Sequence, residues 1–192
     1  MMTKDYLGYL SILTASIGYG LYILSIVRGK THPHLFSWVI WGTVTGIVFV
    51  AQDSKNGEAG AWAAGFSSVI SFIVALLALR YGEKKITFLD WLTFAGALGA
   101  IPIWYFAKDP LASVILVTFI DQLGFLPTFR KSYFKPREES VWTYIMDIFK
   151  YVLSLGALSS YSWVTIFFPL VIILSNSCFL LMIRLRTRRV SS

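Results

Sequence analysis

The sequence has few charged residues and almost no cysteine. Asp, Glu, Lys and Arg make up 14% of its 192 residues, where soluble domains average about 25%. Its single cysteine, Cys178, excludes an internal disulfide and leaves the redox compartment unread. Because Cys178 lies inside the last apolar run, a small buried side chain is expected there. No HExxH pair, GxGD-like diad, Walker A loop or Gly-x-Ser-x-Gly elbow occurs. The connections between apolar runs are also too short for a catalytic domain, so neither enzymatic activity nor a cofactor is expected. His32 and His34 flank Pro33 in a basic loop. Two histidines do not make a metal site, and exposure to solvent or lipid headgroups is the expectation. The last apolar run, Tyr161–Ile183, has no Lys, which excludes a retinal Schiff base. The first run is long, starts just after Lys4 and Asp5 and leads into a basic loop, so it reads as a retained helix rather than a cleaved leader.

Hydrophobicity fills the rest: 56% of residues are apolar and 17% aromatic, with a mean hydropathy of +0.67. Lipid is the expected solvent for most of the chain. A span takes about 17–25 apolar residues. Windows of that size predict an all-α, polytopic membrane protein with seven transmembrane helices, at about Tyr6–Val27, Leu35–Ala51, Ala61–Leu79, Phe88–Phe106, Leu111–Phe129, Val141–Leu158 and Tyr161–Ile183. The Ser159-Ser160 turn makes the last two adjacent and antiparallel.

The formal charge of +7 does not point to nucleic acid, because its basic residues form short clusters between apolar runs. Thirteen Lys and Arg fall in one set of alternate connections: Arg28 and Lys30, then Arg80, Lys84 and Lys85, then Arg130, Lys131, Lys135 and Arg137, then Arg184, Arg186, Arg188 and Arg189. The opposite set has Lys4, Lys55 and Lys108, and Lys150 lies within the sixth run. Positive charge stays cytoplasmic, so the N-terminus is expected outside and the C-terminus inside, in a plasma membrane such as the bacterial inner membrane.

The chain also resembles itself. An offset of 103 residues brings Arg28 onto Lys131, Pro33 onto Pro136 and Ser37 onto Ser140. A three-residue slip brings Gly18-Tyr19 onto Gly124-Phe125, and Arg80 ends the third helix as Arg184 ends the seventh. Two parallel three-helix repeats follow, residues 1–83 and 111–192, the second with a basic cytoplasmic tail. Residues 84–110 form a linker helix that inverts the second repeat back into register. With its 3+1+3 helices and the run Gly124-Phe125-Leu126-Pro127-Thr128-Phe129-Arg130-Lys131, followed by Pro136 and Ser140, the chain resembles the PQ-loop/SWEET superfamily. Where PQ-loop proteins have Gln after the Pro, Thr128 stands here, and Leu21-Tyr22 replaces the pair in the first repeat.

Ionisable groups in hydrocarbon cost several kcal/mol, so those inside spans are expected to face the bundle interior or a partner. At 1.5 Å per residue, Asp121 and Ser71 lie about 12 Å from the cytoplasmic ends, and Asp147 and Asn176 about 10 Å. Facing one another, they would form a polar layer of the kind that holds solute in repeat-built transporters. The resemblance implies a proton-coupling role for Asp147, which follows Ser140 by the spacing seen in lysosomal PQ-loop amino-acid exporters. Lys150, one turn on, offers the alternative of a permanent ion pair. Asn176 resembles the substrate-pocket Asn of SWEET-type carriers; its third-helix partner would be Ser71, where that family has Asn. An interhelical hydrogen bond without a ligand is the other reading of Asn176. Trp41 reads as a pocket wall or as packing. Trp38, Trp62, Trp104, Trp142 and Trp163 read as an aromatic belt, and Asp90 as a helix cap. Pro127 is a hinge or a static kink, and Pro33, Pro102 and Pro169 bend or end other spans. Gly42 and Gly46 permit close helix contact, as a monomer or a weak homo-oligomer.

The function these features predict is a transporter of a small polar solute, an amino acid, sugar or related metabolite, by alternating access. It would act passively or with protons through Asp147 or Asp121. The alternative is a non-transporting receptor or scaffold on the same fold.

Overall fold

A computed structural model describes residues 2–53, 59–106 and 109–190. Among them are seven long α-helices, one 3-10 turn at Pro136–Glu138 and no strand: α1 (Met2–Val27), α2 (Leu35–Asp53), α3 (Ala59–Tyr81), α4 (Phe88–Phe106), α5 (Pro110–Phe134), α6 (Val141–Ala157) and α7 (Trp163–Val190). Four of them, α1, α3, α5 and α7, are long and apolar enough to cross a membrane. Lys55 and Lys108 lie outside the described residues, as do the side chains of Trp104 and Arg189.

Local chemistry sets the ends. α1 stops where Gly29 takes φ +69°. The Gly29 amide bonds Ile26 O and the Lys30 amide bonds Ser25 O, both at 2.9 Å, a Schellman closure that favours glycine. At the start of α4, the Thr87 amide donates to Asp90 Oδ2 at 2.7 Å while the Asp90 amide reaches Thr87 Oγ1 at 3.4 Å, a reciprocal capping box. Asp109 caps α5 by accepting from the Ala112 amide at 2.6 Å. Two helices outrun their apolar windows. α5 continues through Arg130 and Lys131 to Phe134, and α7 through the arginines to Val190. Cations in a last helical turn complement its dipole, so a basic cluster extends a helix that hydropathy alone would end.

In the packing, α3 lies between α1 and α2, and α7 between α5 and α6. The two sets meet where α1 packs on α6 and α2 on α5, while α4 lies against α5 and, less extensively, α2. Glycines allow both cross-contacts. A Cβ on Gly18 of α1 would fall 2.6 Å from Met146 Cβ of α6, and one on Gly124 of α5 would fall 2.6 Å from Ile40 Cγ2 of α2. The largest core cluster joins Val44 and Val48 of α2 to Val117 and Ile120 of α5 and Phe168 of α7. Smaller aromatic clusters sit within each set, around Tyr22 and Trp38 in one and Phe125 and Phe179 in the other.

Cys178 and His34 depart from expectation. Cys178 is exposed on the outer face of α7 rather than buried, because Phe179 takes the inward position. His34 is 1% exposed rather than open to solvent. It follows Pro33, whose carbonyl accepts from the Glu83 amide at 3.0 Å, and its ring packs edge-on to Phe36.

Candidate functional site

α6 is the key to the site. Its buried residues, Thr143, Tyr144, Lys150, Tyr151, Ser154 and Ala157, recur at helical spacing. Trp142, Phe149 and Val152 point outward. The helix therefore turns its polar face inward and its apolar face out, the reverse of a helix on a water-soluble protein.

Inside that face lies a cavity of about 60 Å³, several times what one ordered water needs. It collects side chains from six helices, all but α4. Trp41, Ser71, Asp121, Asp147, Lys150 and Asn176, the six residues singled out by sequence as solute-binding or proton-coupling, all line it. Pro127 does not. It is buried in α5 beyond Phe125, toward the basic end of the bundle, and α5 remains helical through it.

A polar chain runs across the cavity. Lys150 Nζ is hydrogen-bonded to Asp147 Oδ1 and donates to Ser67 Oγ of α3 at 2.9 Å. Asn176 Nδ2 of α7 donates to Asp147 Oδ2 at 2.7 Å. The ammonium also sits 4.0 Å from the Tyr151 ring centroid, within cation–π range. With Lys150 1% exposed, this pair is one that burial makes costly to break. Asp121 accepts only from the adjacent Gln122 amide, at 3.1 Å, among the described residues.

Sequence reasoning missed the aromatic wall formed by Tyr19, Trp38, Phe125, Tyr144 and Tyr151. Trp38, expected in the aromatic belt, is instead 3% exposed and stands edge-on to Trp41 with centroids 5.2 Å apart. Trp41 in turn lies 5.8 Å from Phe125. The repeat carried the available signal, since Tyr19 and Phe125 are its matched aromatics.

A second polar cluster closes the basic end. Lys131 Nζ donates to Glu139 Oε2 at 2.6 Å, His32 O at 2.9 Å and Glu138 O at 3.1 Å. It thereby ties together the loops after α1 and α5. Arg130 holds Asp90 through Nε at 3.1 Å and a terminal nitrogen at 2.7 Å, so Asp90 fastens α4 to α5 as well as capping α4. Thr128, standing where PQ-loop proteins have Gln, donates to Ser37 Oγ of α2 at 2.9 Å. His34 Nε2 lies 3.5 Å from Asp90. Burial lowers its pKa below the usual histidine value, against the pull of that carboxylate. Partial burial pushes the Glu83 carboxyl up, but Lys135 and the Lys85 amide outweigh it and leave the pKa lowered. The Glu83 hydrogen bond raises the Lys135 pKa in return.

Comparison with models of protein families, with curated proteins and with solved structures finds no match to this chain.

Proposed function

We propose that the chain is an integral membrane protein that carries a small polar solute across the bilayer by alternating access. The observation that carries this reading is the convergence of Asp121, Asp147, Lys150, Asn176, Ser71 and Trp41 on one internal cavity. A closed, side-chain-filled centre would instead have suited a receptor or scaffold. A membrane setting is supported by the inside-out polarity of α6 and by α1, whose Tyr6, Tyr9, Leu13, Ile17, Leu24 and Val27 are all more than 40% exposed. Water does not tolerate so long an apolar stripe on a monomer. Seven spans, with the basic connections cytoplasmic, follow if α2, α4 and α6 cross beside the four longer helices. At 19, 19 and 17 residues they lie within the length that spans allow.

The packing of α3 between α1 and α2, and of α7 between α5 and α6, supports two repeated three-helix units joined by α4. These units rock against each other about the α1–α6 and α2–α5 contacts, and Pro127 absorbs part of the bend in α5. The cluster around Lys131 and Arg130 holds the basic end shut, and opening it exposes the cavity to the cytoplasm. Protons enter the cycle through Asp147 if its pairing with Lys150 breaks in one of the two states.

The test is uptake of labelled solutes into proteoliposomes with and without an imposed pH gradient, comparing the wild type with Asp147→Asn. Gradient-driven uptake that the variant loses is the expected result. Gradient-independent uptake retained by the variant makes the pair static and transport passive. Absence of any uptake by folded, inserted protein replaces the transporter reading with the receptor or scaffold.

A further inference from the structure

Three acidic or basic side chains line the cavity, Asp121, Asp147 and Lys150. Two of them cancel. Lys150 is committed to Asp147, Ser67 Oγ and the Tyr151 ring, and Asp147 spends its second oxygen on Asn176. Asp121 remains, 5% exposed, with one amide hydrogen bond from its chain neighbour and no cation of its own among the described residues. A carboxylate in such surroundings is stable only with a counter-charge or a proton.

The wall beside it is aromatic. Trp38, Trp41, Phe125 and Tyr144 form a contiguous series whose successive centroids lie 5.2, 5.8 and 6.3 Å apart. Aromatic faces of this kind attract organic cations, Trp most strongly. The Tyr144 hydroxyl is buried without a hydrogen-bond partner among the described residues.

We infer that the solute is a small organic monocation, an ammonium without a carboxylate of its own, held between Asp121 and the Trp38–Trp41–Phe125 wall. The inference rests on reading the cavity as a solute site. An amino-acid carboxylate would need a cation, and the one cation among the described lining residues, Lys150, is already taken. A sugar would need several free donors, but the Asn176 amide and the Lys150 ammonium are both turned onto Asp147. The volume of about 60 Å³ keeps the ligand small.

Ethanolamine, tetramethylammonium, alanine and glucose are titrated by calorimetry into the purified full chain in nanodiscs, and ethanolamine uptake is measured separately in proteoliposomes. Ethanolamine and tetramethylammonium are expected to bind saturably and the other two not. Asp121→Asn should weaken ethanolamine at least about tenfold while Asp121→Glu retains it. Trp41→Leu should weaken tetramethylammonium several-fold while Trp41→Phe largely keeps it, a pair that decides the matter if the Asp121 variants do not fold. Binding of alanine or glucose but not the amines overturns the inference, as expected of an Asp121 that carries a proton, and leaves the carrier reading standing. Amine binding indifferent to both positions also overturns it. Failure of every probe on cooperatively melting protein overturns the inference and leaves the carrier reading to the uptake assay, whereas specific amine binding without uptake supports the inference and removes the transporter.

Discussion

From α1, α2 and α3 the cavity receives aromatic rings and hydroxyls: Tyr19, Trp38, Trp41, Thr45 and Ser71. From α5, α6 and α7 it receives every charge and the one amide, Asp121, Asp147, Lys150 and Asn176. The position in α2 that matches Asp147 is Val44, which is fully buried in the apolar core. The two sets pack alike and differ in chemistry. Similar packing needs only apolar and small residues at the contacts, so polar chemistry can concentrate in one set while the other supplies an aromatic wall. The basic ends differ in the same way. Lys131 is 3% exposed and carries three hydrogen bonds, whereas Arg28, which the 103-residue offset places opposite it, is exposed.

The sharpest way to break this asymmetry is to remove a charge from the α6 pair. Asp147→Ala leaves the Lys150 ammonium buried without its partner and should cost about 3–5 kcal/mol of stability, read as a fall in melting temperature in detergent. Asp147→Leu combined with Lys150→Met should recover most of that loss. Recovery would mean that the charges are kept for function and not for the fold.

The same contrast can be drawn at the basic ends. Lys131→Met strands Glu139, whose side chain is 0% exposed, and should cost about 3 kcal/mol or more. Arg28→Met should stay within about 0.5 kcal/mol. Equal effects in the two melts would show that the loops after α1 and α5 are mechanically equivalent.

Smaller again are the glycine contacts, where the two sets should behave alike. Gly18→Val and Gly124→Val each force a side chain into the facing helix and should each cost about 1–3 kcal/mol. Gly20, with nothing within 4 Å of an added Cβ, should accept Ala with a gain of up to about 1 kcal/mol. A large gap between Gly18→Val and Gly124→Val in parallel melts would argue against matched crossings.

The smallest effect belongs to the surface pair between Glu83, after α3, and Lys135, after α5. The lowered Glu83 pKa means that its contribution is present above the ordinary carboxylate range and fades as pH falls through the folded value. The raised Lys135 pKa means that its contribution is present below the ordinary lysine value and fades as pH rises through the folded one. Because the Lys135 side chain is 44% exposed, Glu83→Gln should cost no more than about 1 kcal/mol at neutral pH, less in high salt. Melts at two salt concentrations would check this.

Helix number and approximate position were legible because hydropathy and periodicity are local properties. Phe88–Phe106 stands as expected, whereas α5 and α7 run on because basic residues serve a helix C-terminus as readily as a loop. The depth estimate put Asp121, Asp147, Asn176 and Ser71 at one level, and these residues do line one cavity. The partners of each group were not legible. Nothing in the chain announces that Lys150 reaches Ser67 across 83 positions, or that Lys131 folds inward while Arg28 stays out. Trp38 was misread for the same reason: an aromatic near a helix end has the same local signature whether it faces outward or packs on Tyr22.

By itself, then, the sequence determined seven helices, their approximate limits and the position of each polar residue along its own helix, all of which depend on neighbours within a few turns. Only the tertiary structure decided that α3 and α7 lie between their partners, that Asp147 is paired while Asp121 has no cation among the described residues, and that the wall is aromatic. Those outcomes depend on how each helix is rotated about its axis, which is set by the summed packing of side chains far apart in the chain.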